Sequence, residues 1–285
     1  TNYQRISQAL AAPGAFFGSA KQALVASSDI AACDALDGAA DGIVGNTGAC
    51  QFDPAALRCA GGVDTGDTCL SDAQLAGLAA YTSGLTLPFA LSGGVTTYPA
   101  FTILRAGANL QGFAGGSVAP ANPVTFTMPF STFIGDSFVK YWVMRDPSFD
   151  GFTFNVAANG YIRQRLEYIS SRLDVRPNFG AFSSRGGKLI VVTGQADSII
   201  PSTTSVDLYN SISTAMGAGT LPGFMRFYYV PGYDHGFGPQ FNLNWDSVSA
   251  LEAWVERTVA PAGLVGTDAN PSDGARPPPL RDYPS

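Results

Sequence analysis

Residues 188–201 read KLIVVTGQADSIIP, and residues 224–236 read FMRFYYVPGYDHG. Each is an apolar run of strand length that ends in a loop of Gly, Asp and Pro, the pattern of a strand followed by a sharp turn. The first run, 188–192, has no polar face, so it is expected to be a strand buried on both sides, as in a parallel sheet. Between the two runs Val206, Tyr209, Ile212 and Met216 recur at helical spacing. After the second run, Asp246 is a good N-cap for a closing helix whose predicted inner face is Val248, Leu251, Val255 and Val259. Strand, helix, strand, helix in that order predicts an α/β fold with a parallel sheet.

The two loops that end these strands hold the candidate chemistry. His235 is the only histidine in the chain. A lone histidine is more often structural than catalytic, but this one sits beyond a strand, where α/β enzymes place their working groups. Asp197 lies in the equivalent loop of the preceding strand. Taken alone, it reads as a turn aspartate bonding its own backbone. Asp followed by His on successive strand ends matches the last two members of a serine-hydrolase triad, in which the carboxylate holds the imidazole and the imidazole takes the serine proton. Asp234 is a rival acid, but a residue rarely points its carboxylate at the ring of its own sequence neighbour. Asp197 is therefore the predicted partner.

The serine is missing from this picture. A nucleophile elbow needs G-x-S-x-G between a strand and a helix, and the chain has no such pentapeptide. Ser184, in AFSSRGGK, is the nearest imitation, yet it precedes the strand that leads to Asp197. Because the elbow comes first in chain order, the expectation is a nucleophile on polypeptide upstream of Thr1.

Composition narrows the class. Hydrophobic residues make up 46% and charged residues 13% of 285, which suits a packed core. A net charge of −6, with Lys21, Lys140 and Lys188 the only lysines, argues against nucleic acid and anionic membrane surfaces. No stretch approaches the roughly 20 apolar residues of a membrane span.

All four cysteines fall between Cys33 and Cys69. They read as two disulfides in a secreted or periplasmic protein, since no CxxC pair and no nearby histidine supports zinc. Within CDALDGAADGIVGNTGAC (33–50), Asp34, Asp37 and Asp41 lie together with no Lys or Arg between Lys21 and Arg58. Gly38 and Gly42 let the backbone turn beside them. Such a loop offers oxygen ligands to calcium, although its spacing is not that of an EF-hand. An exposed acidic turn is the simpler reading.

Elsewhere, Ser71 and Gln74 have capping-box spacing ahead of a helix with Leu75, Leu78 and Tyr81 inward and Gly84 at its end. A second helix is predicted over 158–173 from Ile162, Leu166, Ile169 and Leu173. The Pro-rich tail from 268 to 285 reads as a surface strap.

Together these stretches resemble the tannase and feruloyl esterase family, which includes the enzyme hydrolysing mono(hydroxyethyl) terephthalate. The resemblance is carried by AACDALDGAADGIVG (31–45), CQFDPAALRC (50–59), CLSDAQ (69–74), RGGKLIVVTGQADSIIP (185–201), YYVPGYDHGFGP (228–239) and ALEAWVERTVAP (250–261). It implies the C-terminal part of an α/β-hydrolase sheet with a large inserted lid: a lead-in over 1–30, a disulfide-stapled lid over 31–178, and the sheet carrying the triad residues over 179–285. By position, Asp197 and His235 would be the triad acid and base. Calcium would be held by Asp34, Asp37 and Asp41 with the carbonyls of Ala39 and Ile43. The disulfides would be Cys33–Cys50 and Cys59–Cys69. Many members place a cysteine after the histidine, where this chain has Gly236.

The implied activity is hydrolysis of aromatic carboxylic esters, with the serine supplied by an N-terminal chain of the same precursor. Phe101, Arg105, Phe126 and Phe130 would be pocket candidates, the aromatics otherwise reading as lid core. The rival from another class is a non-catalytic, calcium-stabilised binding module; the rival within the class is a hydrolase using Ser184.

Overall fold

The computed structural model describes residues 1–107, 109–110, 115–158, 160–269, 280 and 282–284. They form two compact units: Thr1–Ser28, Phe52–Leu104 and Asn109–Val175 make the first, and Asp29–Gln51, Arg105–Ala108 and Arg176–Ser285 the second. The expected three-segment division is thus redrawn. The lead-in folds with most of the supposed lid, while the aspartate-rich loop folds with the C-terminal strands.

In the first unit α1 (Asn2–Leu10) packs on α3 (Asp72–Thr82) and α4 (Phe130–Ser137); between α1 and α3 in the chain, α2 (Ser19–Cys33) passes into the second unit at Asp29. Ile6, Leu10, Leu78 and Tyr81 are buried, so the lead-in is core of this unit. The capping box forms at α3: the Ser71 hydroxyl accepts the Gln74 N–H at 3.2 Å, and the Gln74 side-chain Oε1 accepts the Ser71 N–H at 2.9 Å. Those two bonds satisfy amides that the helix itself leaves unpaired. The helix stops at Thr82, two residues before Gly84.

A short hairpin pairs β1 (Leu85–Thr86) with β2 (Thr97–Tyr98), and α5 (Gly160–Leu173) follows near the predicted span. Ile162, Leu166 and Ile169 join Leu87, Phe89, Val139 and Val143 in one apolar cluster. Leu173, predicted to join them, is exposed at the end of the helix. The Cys59–Cys69 disulfide belongs to this unit.

The second unit begins its C-terminal part with the short α6 (Gly180–Ser183). Then β3 (Leu189–Gly194) runs parallel to β4 (Met225–Val230), in register from Leu189 opposite Met225 to Gly194 opposite Val230. The crossover between them is α7 (Thr203–Met216). Leu189 and Val191 face the cluster of Ile212, Phe224, Met225 and Phe227, whereas Ile190 and Val192 face Ile43, Tyr228, Val230 and Phe241. This is the two-residue alternation of a strand with apolar residues on both faces.

Burial is lopsided. β4 is mostly buried, but β3 is only half-buried up to Gly194, contrary to the expectation. Among the described residues β3 is hydrogen-bonded to β4 alone, so its other edge has no strand beside it.

The closing helix α8 (Ser247–Arg257) follows β5 (Leu243–Asn244), and β5 pairs with β6 (Thr267–Asp268). Asp246 caps α8 by accepting the Ser249 N–H at 3.0 Å. Its predicted inner face is wrong: Val248, Val255 and Val259 are exposed, Leu251 is half-buried, and Trp254 is the buried residue. The helix presents Val248, Leu251 and Val255 to an open groove of about 570 Å³ shared with Ile190, Val192 and Trp245.

Most of the tail strap lies outside the described residues. Its described end binds the sheet, with Tyr283 N–H donating to the Phe227 carbonyl at 2.7 Å and Phe227 N–H to Asp282 at 3.0 Å. No helix among the described residues is long and apolar enough to cross a membrane.

Candidate active site

Because β3 and β4 are parallel and in register, the loops after them leave the same edge of the sheet. Asp197 follows β3 by three residues and His235 follows β4 by five. Gly194 lets these loops approach, since a Cβ there would collide with the Tyr233 carbonyl. The result is direct contact: His235 Nδ1 lies 3.0 Å from Asp197 Oδ2.

Each partner is held differently. Asp197 is buried, and its other oxygen accepts the N–H groups of Ile199 at 2.8 Å and Ile200 at 2.7 Å. That leaves Oδ2 aimed at the ring. The His235 side chain is 48% exposed, so the imidazole is neither sealed in apolar packing nor detached from the surface. With Nδ1 turned to a carboxylate, the neutral ring carries its proton there and leaves Nε2 as a base.

Asp234, the rival acid, does not reach the ring. Its Oδ1 accepts from Ser198 N–H at 2.9 Å, Ser198 Oγ at 2.9 Å and His235 N–H at 2.8 Å. Burial pushes its carboxyl above the usual range, while these donors pull it back and the Asp197 charge adds to the rise. The adjacency of Asp234 and His235 was the one sign of this linkage in the sequence.

Ser184 comes before β3, whereas Asp197 follows the other end of that strand. The Ser184 hydroxyl donates to the Ala181 carbonyl.

The aspartate-rich loop belongs to the same unit. Asp34 accepts N–H groups of Asp41 and Gly42, Asp37 those of Ala39 and Gly45, and Asp41 that of Ile43. The donor chemistry suits calcium, but the three carboxylates are turned onto the loop's own amides. Among the described residues the converging acid and sulfur group is Asp29, Cys33 and Cys50, and its two sulfurs form the Cys33–Cys50 disulfide. Both disulfides therefore pair as the resemblance implied. Ile43 anchors the loop beneath β4, against Gly232, where a Cβ would lie 2.9 Å from Ile43 Cγ2 at a φ of +68°.

Of the pocket candidates, Phe126 and Phe130 share a cleft that Phe101 does not line. Phe101 is buried in the first unit, 5.9 Å from Tyr81 and 6.2 Å from Tyr3 by ring centres. Phe126 and Phe130 line an exposed cleft with Phe133 and Met128. Arg105 is an exposed residue of the second unit.

The comparisons with known proteins bear on this geometry. The family profile described as "Tannase and feruloyl esterase" matches residues 5–285. The chain belongs to that family. An uncharacterized esterase of Agrobacterium fabrum is 35% identical over 262 residues, covering 89% of this chain and 47% of the relative. The mono(2-hydroxyethyl) terephthalate hydrolase of Piscinibacter sakaiensis is 28% identical over 301 residues, covering 94% and 49%. In fold, the chain is similar to the crystal structure of feruloyl esterase B from Aspergillus oryzae, with a TM-score of 0.77 at 24% identity, over 99% of this chain and 56% of that one. The chain spans about half the length of the curated relatives it matches.

Proposed function

We propose that this chain is the acid–base half of a secreted or periplasmic carboxylic-ester hydrolase acting on esters of aromatic acids. The observation that carries the reading is the 3.0 Å contact between Asp197 and a half-exposed His235 at the ends of adjacent parallel strands. Membership of a family whose relatives include named feruloyl esterases and a terephthalate-ester hydrolase supports the chemistry and the aromatic acyl group.

In this reading a serine on polypeptide outside residues 1–285 attacks the ester carbonyl. His235 Nε2 takes the hydroxyl proton and hands it to the departing alcohol. Water then cleaves the acyl-serine by the same proton route in reverse, while Asp197 holds the ring and stabilises its charged form. Two features support added polypeptide in an α/β-hydrolase sheet. The outer edge of β3 is unpaired among the described residues, and α8 leaves valines in an apolar groove beside it.

Fluorophosphonate labelling of the native protein tests the serine. The expected adduct lies on a serine outside residues 1–285. No adduct would favour the binding module, and an adduct on Ser184 would favour the self-contained hydrolase.

Calcium in the 34–45 loop is part of the same proposal, with Asp34, Asp37 and Asp41 as side-chain ligands and Ala39 and Ile43 as carbonyl ligands. Each carboxylate has further lone pairs, so a cation can be bound beside the present amide bonds. It would draw together charges that no neighbouring Lys or Arg offsets. Calcium at a hundred times its Kd stabilises the folded state by about 2.7 kcal/mol. A chelator is therefore expected to lower Tm by several degrees, and Asp37→Ala to abolish the calcium increment. An identical Tm with and without calcium would remove the metal from the account.

A further inference from the structure

The catalytic loops hold a second carboxylate that the proposed reaction does not use. Asp234 is 4% exposed, and one of its oxygens gathers three donors: Ser198 N–H, Ser198 Oγ and His235 N–H. Ser198 directly follows Asp197, and His235 directly follows Asp234. A single atom thus joins the backbone of the acid loop to the backbone of the base loop, one residue from each working side chain.

The chain beyond His235 packs closely around this side chain. At Gly238 a Cβ would lie 2.7 Å from Asp234 Cβ, and Gly236 turns the chain at a φ of +89° while its N–H donates to the Asp234 carbonyl at 2.9 Å. The ring itself is held far less tightly. A half-exposed imidazole paired to one carboxylate gains little from that pair alone, so loop spacing must come from the backbone.

We propose that Asp234 is a positioning residue that clamps the loop of Asp197 to the loop of His235, so that Nδ1 stays on Asp197 and Nε2 stays available to the reacting hydroxyl. The proposal rests on the assignment of Asp197 and His235 as the acid–base pair. Since all three short bonds fall on one oxygen, an amide oxygen serves equally well. Asp234→Asn keeps the clamp, whereas Asp234→Ala and Asp234→Ser lose it.

The sole histidine makes the test direct, because the imidazole region of a ¹⁵N spectrum holds one residue. Wild type and D234N are expected to show a neutral ring protonated on Nδ1. D234A and D234S are expected to shift toward the Nε2-protonated form. In the serine-complete enzyme, D234A should lower kcat by about 10²-fold, as for a misplaced catalytic group. KM should stay within about twofold, as for an interaction realised only in the transition state, and D234N should restore the rate.

The clamp is overturned if D234A or D234S retains the Nδ1 signature and the rate. It is also overturned if only D234N folds, which would make Asp234 a fold staple and nothing more. A wild-type ring lacking the Nδ1 signature would instead sink the acid–base assignment itself, and the clamp with it.

Discussion

Asp197→Asn is expected to lower kcat of the serine-complete enzyme by about 10⁴-fold, with little change in Tm. The reason lies in which oxygen does what. Oδ1 accepts two backbone N–H groups, from Ile199 and Ile200, so the carboxamide of the variant must keep its oxygen there. Flipping it would set an NH₂ against two N–H donors. The NH₂ is therefore left facing His235 Nδ1, where it can only donate. The ring must then accept at Nδ1 and carry its proton on Nε2, the atom that has to act as base. His235→Ala removes the base altogether and should cost at least as much. Steady-state kinetics on an aromatic ester, with Tm measured alongside, decide the matter. A loss smaller than about tenfold in the asparagine variant would show that the carboxylate does not orient the ring.

The second large effect is on stability. Between about pH 4 and pH 8 the wild-type protein should lose roughly 4 kcal/mol that Asp29→Asn does not lose. Asp29 is fully buried, accepts the Gly107 N–H at 2.7 Å and lies 3.5 Å from Cys50 Sγ. Burial pushes its carboxyl from 3.8 up to about 7, against the opposing pull of the Gly107 amide. The folded chain therefore holds this proton more tightly than the unfolded chain. The stabilisation is whole below the unfolded value and is lost as pH rises through the folded one. An asparagine keeps an acceptor for Gly107 and has no proton to lose. Denaturant unfolding of both proteins from pH 4 to pH 8 gives the comparison; parallel curves would show that Asp29 titrates normally.

Much of the local structure was legible. The capping box at Ser71, the N-cap at Asp246 and the strands around 189–194 and 225–230 all follow from contacts within a few residues. Asp197 and His235 were legible because each follows an identifiable strand, and parallel pairing puts both loops at one edge. What misled was burial. Val248 and Val255 repeat at helical spacing but face an open groove, and Leu173 continues a buried stripe past the cluster that would bury it. Hydrophobic spacing identifies a face, not what lies against it. Phe101 and Phe126 look alike in sequence, yet one is buried between Tyr3 and Tyr81 and the other is exposed.

By itself, then, the sequence determined the strands around 189–194 and 225–230, the helix caps at Ser71 and Asp246, and which two side chains sit at the sheet's working edge. These rest on short-range hydrogen bonding and on periodicity, both written in neighbouring residues. Only the tertiary structure decided that the loop at 34–45 folds under β4, that β3 pairs with β4 alone among the described residues, and that Asp234 serves the backbone rather than the ring. Those outcomes depend on atoms far apart in the chain, and no local pattern encodes the company a side chain keeps once the chain has folded back on itself.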